Sequence, residues 1–134
     1  MKELELLIKK AREAQEKSYS PYSSFRVGCA ILLKDGNIIN GANIENASYP
    51  LTICAERSTL FTCYNMGYKK DDFVAMMLAG DAPSFISPCG ACRQVISELY
   101  PRKAPIYLLD KNNNVKETNI EELLPLAFNE GDLK

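Results

Sequence analysis

The stretch FVAMMLA, from Phe73 to Ala79, decides the fold. It is a continuous apolar run of strand length, without the alternation of a strand that has one wet face, and it predicts a strand covered on both sides. Such a strand needs layers above and below it, and the flanking sequence supplies them. On the N-terminal side, Gly67 closes a helix predicted over about 52–66, preceded by the polar loop GANIENASYP (41–50). Before the loop, FRVGCAILLKDGNIIN (25–40) is apolar around Asp35-Gly36, a two-residue turn signal, and reads as two antiparallel strands. Further back, Leu4, Leu7, Ile8, Ala11 and Ala14 form one stripe of an amphipathic helix that should stop before SYSPYSS (18–24).

On the C-terminal side, the loop GDAPSFISPCG (80–90) leads to a second buried helix. Ala91, Val95, Ile96 and Leu99 make its predicted inner face, and Pro101 forbids continuation. PIYLLD (105–110) reads as another buried strand, and KNNNV (111–115) as a turn into a short further one. Thr118 and Glu121 have capping-box spacing before LLPLAF (123–128). The order is a helix, two strands, then alternating helix and strand, which specifies an α/β layer with a mixed sheet of about five strands. With no internal repeat or linker in view, residues 1–134 are expected to form a single domain.

Composition narrows the function. A net charge of −1, with basic pairs scattered along the chain, argues against a nucleic-acid or anionic-membrane binder, which needs a basic patch. No apolar run approaches the roughly 18 residues of a membrane helix, and MKELELLIKKAREA is a charged amphipathic start rather than a secretory signal. A cytoplasmic protein is therefore expected, and in that reducing compartment its five cysteines are ligands, nucleophiles or small core residues rather than disulfide partners. Histidine is absent altogether. Any acid or base working near neutral pH must then be a shifted carboxylate, Lys, Tyr, Cys or a metal-activated water, and Ser-His-Asp and Cys-His chemistry are excluded.

Cys89 and Cys92, in SPCGACRQ (87–94), have the C-x-x-C spacing that lets two thiolates reach one ion from a turn entering a helix. The pair alone also fits a redox dithiol or two core cysteines. Cys54 changes the weighting, because it too lies at a predicted helix start after a loop. Consecutive helices on one side of a layered sheet start near one sheet edge, so three thiolates can converge. Cys63, nine residues after Cys54, projects from the opposite side of the helix, and Cys29 sits mid-strand in an apolar run. Three protein ligands leave one tetrahedral position open, the mark of a catalytic zinc. Three thiolates around Zn²⁺ leave about one net negative charge, which Arg57 and two helix N-termini can draw off by hydrogen bonding the sulfurs. Arg93 is a second candidate for that task.

With NIENASY (43–49), CAERSTLF (54–61) and SPCGACRQVISELYP (87–101) in order, the chain resembles the small homotetrameric cytidine deaminases from end to end. Cys54-Ala55-Glu56 and Pro88-Cys89-x-x-Cys92 match the cysteine form of the zinc-deaminase signature. The resemblance implies a three-layer α/β/α fold with a five-stranded mixed sheet. It implies zinc-dependent hydrolysis of free cytidine and 2′-deoxycytidine to uridine and 2′-deoxyuridine with release of ammonia, as in pyrimidine salvage. Cys54, Cys89 and Cys92 would hold Zn²⁺ and Glu56 would shuttle the proton. Asn43 and Glu45 would bind ribose hydroxyls, Phe25 would pack on the pyrimidine, and Phe128 would reach a neighbouring subunit's site. A homotetramer acting on a small nucleoside, with neither nucleic acid nor membrane as partner, is the implied assembly.

Overall fold

A computed structural model describes residues 2–133. The apolar run becomes a strand, β3 (Phe73–Gly80), buried along its length except at Val74. Helix α1 (Lys2–Gln15) precedes the hairpin of β1 (Val27–Leu33) and β2 (Ile38–Ala42). Helix α2 (Ala55–Asn65) leads to β3, and α3 (Gly90–Leu99) connects β3 to β4 (Ile106–Leu109). Strand β5 (Val115–Thr118) and the short helix α4 (Ile120–Leu123) follow. The sheet order is β2-β1-β3-β4-β5. Among the described strand pairings β3–β4 is parallel, as its helical crossover requires, and the other three are antiparallel, so the sheet is mixed and five-stranded.

Two apolar clusters fill the two faces. Leu7 and Ala11 of α1 pack on Ala30, Ala75, Met77, Ala79 and Leu109. On the other face Leu60, Ile96 and Tyr100 pack on Cys29, Ile31, Leu33, Met76 and Leu78. The architecture is thus three-layered, α1 on one side and α2 to α4 on the other. The two-residue periodicity of β3 is interrupted once: Leu32 faces Ala75 and Leu33 faces Phe73, so Val74 is an extra residue in a bulge. That offset turns Phe73 and Met76 toward the same cluster.

Several local expectations need correction. The hairpin turn has three residues, Lys34 to Gly36, closed by the Leu33 N–H donating to Asn37 O, with Gly36 at φ +89° in the left-handed region such loops require. Helix α2 begins at Ala55, not near Thr52, because Tyr49–Leu51 form a separate 3₁₀ turn and Cys54 takes the N-cap. Ala91 is exposed, and the buried face of α3 is Cys92, Ile96 and Ser97. The cap of α4 is Asn119, whose side chain accepts from the Glu122 N–H, one residue beyond the predicted Thr118.

Candidate metal centre and substrate pocket

Cys54 and Cys89 occupy equivalent places. Each is the N-cap of its helix in extended backbone, and neither sulfur caps its own helix. The parallel β3–α3–β4 crossover brings the starts of α2 and α3 together, so the two sulfurs lie 3.8 Å apart. Cys92, one turn into α3, places its sulfur 3.5 Å from that of Cys89. All three lie within 4.8 Å of one another. Ligand atoms at a regular tetrahedron around zinc, with Zn–S of about 2.3 Å, stand about 3.8 Å apart, so the donor set fits the ion in number, chemistry and spacing. Convergence of a third sulfur separates this site from a two-thiol redox pair. Cys29 and Cys63 are buried in the apolar cluster instead, and burial pushes the Cys63 thiol up to about 11.

Arg57 stands behind the sulfurs. Its Nη2 donates to Cys54 Sγ at 3.5 Å, and its Nε is buried with no oxygen or nitrogen partner. A guanidinium left with an unspent donor against a thiol cluster points to anionic sulfur as what it complements. Hydrogen bonding from Cys92, then from Arg57 and Cys89, brings the Cys54 thiol down to about 5 against the opposing effect of burial. Cys92 shifts the other way, chiefly because it donates to Cys54. A bound dication deprotonates a coordinating thiol outright. Arg93 does not share the task of Arg57, for its nitrogens go to Pro88 O, Leu123 O and Ser87 Oγ.

Glu56, only 5% exposed, lines a pocket of about 250 Å³ together with Cys54 and Cys89. Burial pushes its carboxyl up to about 7; its own backbone N–H opposes the shift, and the Cys54 thiolate adds to it. A carboxyl poised there takes up and releases protons near neutrality. Val27, Leu78 and Ile86 supply apolar lining, with Phe25 on the rim at 39% exposure.

The polar end of the pocket is built by backbone pairing. Ile44 exchanges hydrogen bonds with Ile53, and Tyr19 N–H donates to Asn43 O while Glu45 N–H donates to Tyr19 O. The loop is thereby pinned between SYSPYSS and Cys54. Asn43 is nearly buried: its Oδ1 accepts from Ser18 Oγ and from Val27 N–H at 3.0 Å, and its Nδ2 donates to Phe25 O at 2.9 Å. Glu45 Oε1 accepts from the Tyr22 and Ser23 N–H groups at 3.0 and 3.1 Å, and Oε2 from Ser23 Oγ. The Ser23 hydroxyl leads the interactions that hold this carboxyl below the usual range.

Of the residues the sequence singles out, the structure lines one cavity with Phe25, Asn43, Glu45, Cys54, Glu56 and Cys89, clusters Cys92 with Cys54 and Cys89, and sets Arg57 against Cys54. Phe128 lies outside that cavity, 57% exposed, with its carbonyl accepting from Gln94 Nε2. Ser23, Tyr49 and Ser87 also line the pocket and were not foreseen, because serines and tyrosines in a polar turn carry no local mark of a site.

The family described as the cytidine and deoxycytidylate deaminase zinc-binding region matches residues 1–108. A cytidine deaminase of Halalkalibacterium halodurans is 49% identical over 129 residues, 96% of either chain. One of Sporosarcina psychrophila is 43% identical over 131 residues, 98% of this chain and 95% of its own. Among solved structures, a cytidine deaminase from Burkholderia pseudomallei superposes with a TM-score of 0.89 at 44% identity, covering 92% of this chain and 98% of the other.

Proposed function

The chain belongs to the cytidine and deoxycytidylate deaminase family, is a zinc-dependent hydrolase that converts cytidine to uridine and ammonia, and from that premise we propose how its residues divide the work. The observation that carries the division is Glu56, a buried carboxyl two residues from one sulfur of a three-thiol cluster, lining a cavity that Asn43 and Glu45 also line.

Cys54, Cys89 and Cys92 hold the zinc, and Arg57 offsets their charge by donating to Cys54. When bound, the ion supplies a Lewis acid that acidifies water toward neutral pH. Glu56 accepts a proton from the attacking water and passes it to ring N3, which opens C4 to addition. The same carboxyl then moves the proton of the new C4 hydroxyl to the amino nitrogen. Ammonia departs, N3 keeps the first proton, and uridine results. A carboxyl held near neutrality serves both directions of transfer.

Val27, Leu78, Ile86 and Phe25 enclose the pyrimidine, excluding bulk water. Asn43 has spent its carbonyl oxygen and one N–H on its own chain, leaving one N–H to donate to a sugar hydroxyl. Glu45 has spent three of about four lone-pair sites, leaving one to accept from the sugar. Both ribose and 2′-deoxyribose share the 3′-hydroxyl this pair would grip, so cytidine and 2′-deoxycytidine are both substrates, as pyrimidine salvage requires.

The working unit is a homotetramer in the cytoplasm, whose reducing conditions keep thiolate ligands available. Leu126 supports the assembly: fully exposed, at φ +54°, it is an apolar side chain on strained backbone beside exposed Phe128, which only burial against another chain would reward. Tyr49, which lines the pocket, and Tyr22, next to the lining residue Ser23, expose further apolar surface. Among the described residues no helix is long and apolar enough to cross a membrane.

Zinc-loaded protein incubated with free cytidine should release uridine and ammonia in equal amounts. Absence of ammonia from a folded, metallated sample would first remove the sugar-binding roles of Asn43 and Glu45.

A further inference from the structure

Arg93 follows the sulfur-bearing Cys92 in the chain, yet its guanidinium turns from the sulfurs to a different task. Nε donates to Pro88 O at 2.7 Å, one peptide before Cys89. Nη2 donates to Ser87 Oγ at 3.2 Å, on the pocket wall. Nη1 donates to Leu123 O at 2.8 Å, at the end of α4, where helical carbonyls lack partners within the helix. The next residue, Gln94, donates from Nε2 to Phe128 O at 2.9 Å. Consecutive side chains of α3 therefore grip the segment 123–128, while the first of them also fixes the turn that delivers Cys89.

A planar fork with several donors in fixed directions can hold three acceptors from two segments at once, which a single ammonium on a flexible stem cannot. Cys89 itself is exposed and follows a loop without regular structure, which buried Pro88 and partly buried Ile86 anchor by apolar packing and to which Arg93 adds directed hydrogen bonds. We propose that Arg93 is a positioning residue that locks the Cys89 turn to the C-terminal arm, making retention of the metal depend on docking of residues 120–128. The inference rests on the reading of Cys54, Cys89 and Cys92 as zinc ligands. It explains why an arginine beside a ligand spends its donors on two carbonyls and a hydroxyl, and it gives the arm a role inside its own chain.

The test measures zinc transfer from the full-length, zinc-loaded protein to a chromophoric chelator, together with the visible spectrum of the cobalt-substituted protein. Arg93→Ala should release zinc about 10- to 100-fold faster, the effect typical of removing a group that orients a metal ligand. Its cobalt bands should shift, and Arg93→Lys should fall between it and the parent. Gln94→Ala, which frees only Phe128 O, should accelerate release by a smaller factor. Cys89→Ser serves as the control for the ligand reading. If Cys89→Ser loses its zinc while Arg93→Ala releases it at the parental rate with an unchanged spectrum, the positioning role is overturned and the ligand reading stands. If Cys89→Ser retains zinc like the parent, the ligand reading itself fails. Accelerated release from Arg93→Ala with parental release from Gln94→Ala overturns the dependence on the arm. Should Arg93→Ala not fold, Arg93→Lys decides, parental release again overturning the proposal.

Discussion

The two faces of the sheet use different side chains to different ends. Under α1, small residues surround the larger Leu7, Met77 and Leu109: Ala11 and Ala14 on the helix, and Gly28, Ala30, Ala75 and Ala79 on the strands. A Cβ on Gly28 would stand 2.1 Å from Ala11 O and 2.6 Å from Gln15 N, so helix and strand meet backbone to backbone. Arg12 then ties α1 to the strand ends, donating to Gly80 O and Asp110 O. Under α2 and α3 the side chains are larger, including Phe73, Met76, Leu78 and Tyr100, and the starts of those helices border a cavity. Close approach serves rigidity on one side; on the other, helix starts bring together groups that packing alone would not choose. Activity and stability should therefore separate by face.

The largest effect belongs to the α2 face. Glu56→Gln keeps the shape of the side chain and removes its proton chemistry, so kcat should fall by about 10²–10⁴-fold. Zinc content, read by metal analysis, should match the parent, because the carboxyl is not among the clustered ligands. Stability should not fall, since burial already disfavours the charged carboxylate and a neutral amide avoids that cost. Turnover near the parental rate would take Glu56 out of the reaction.

Gly28→Ala should do the reverse. The new methyl meets backbone rather than a flexible side-chain end, so α1 must shift; overpacking of this kind costs about 1–3 kcal/mol. Denaturant midpoints would report that loss, while turnover per folded, zinc-loaded molecule stays near that of the parent. A stable variant with poor turnover would show that the faces are not separable.

What the sequence made legible was whatever lies close along the chain. FVAMMLA showed its two-sided burial, because consecutive residues of a strand sample both faces. The C-x-x-C spacing and the Cys-Ala-Glu triplet placed chemistry at two helix starts, the layered topology let their three thiolates converge, and resemblance added the sugar- and ring-binding residues. Hidden features depend on distant partners. Nothing near Gly28 signals that a helix thirteen to seventeen residues earlier presses on it. Ser23 serves Glu45 across 22 residues, and Arg93 reaches Leu123 across 30. Boundaries slipped where adjacent residues compete for one role. Cys54 rather than a residue near Thr52 became the cap of α2, and Asn119 rather than Thr118 that of α4, because an extended N-cap conformation is set by the entering chain.

Asn119 gives the smallest effect and the finest division between the faces, since it lies on the chemical side yet carries no chemistry. Its Oδ1 accepts from the Glu122 N–H at 3.0 Å, leaving that amide without a side-chain acceptor in Asn119→Ala. Losing an N-cap of this kind costs about 0.5–2 kcal/mol. A four-residue helix near the chain end opens locally before the sheet does, so the loss should appear in local rather than global stability. Hydrogen exchange at the α4 amides should quicken by roughly two- to thirtyfold, the same energy expressed as an opening equilibrium, with the denaturant midpoint nearly unmoved. Unchanged exchange would mean that the cap is redundant and that Arg93 and Gln94 alone hold the arm down. A global loss as large as that of Gly28→Ala would mean that the arm, like α1, is part of what holds the sheet together.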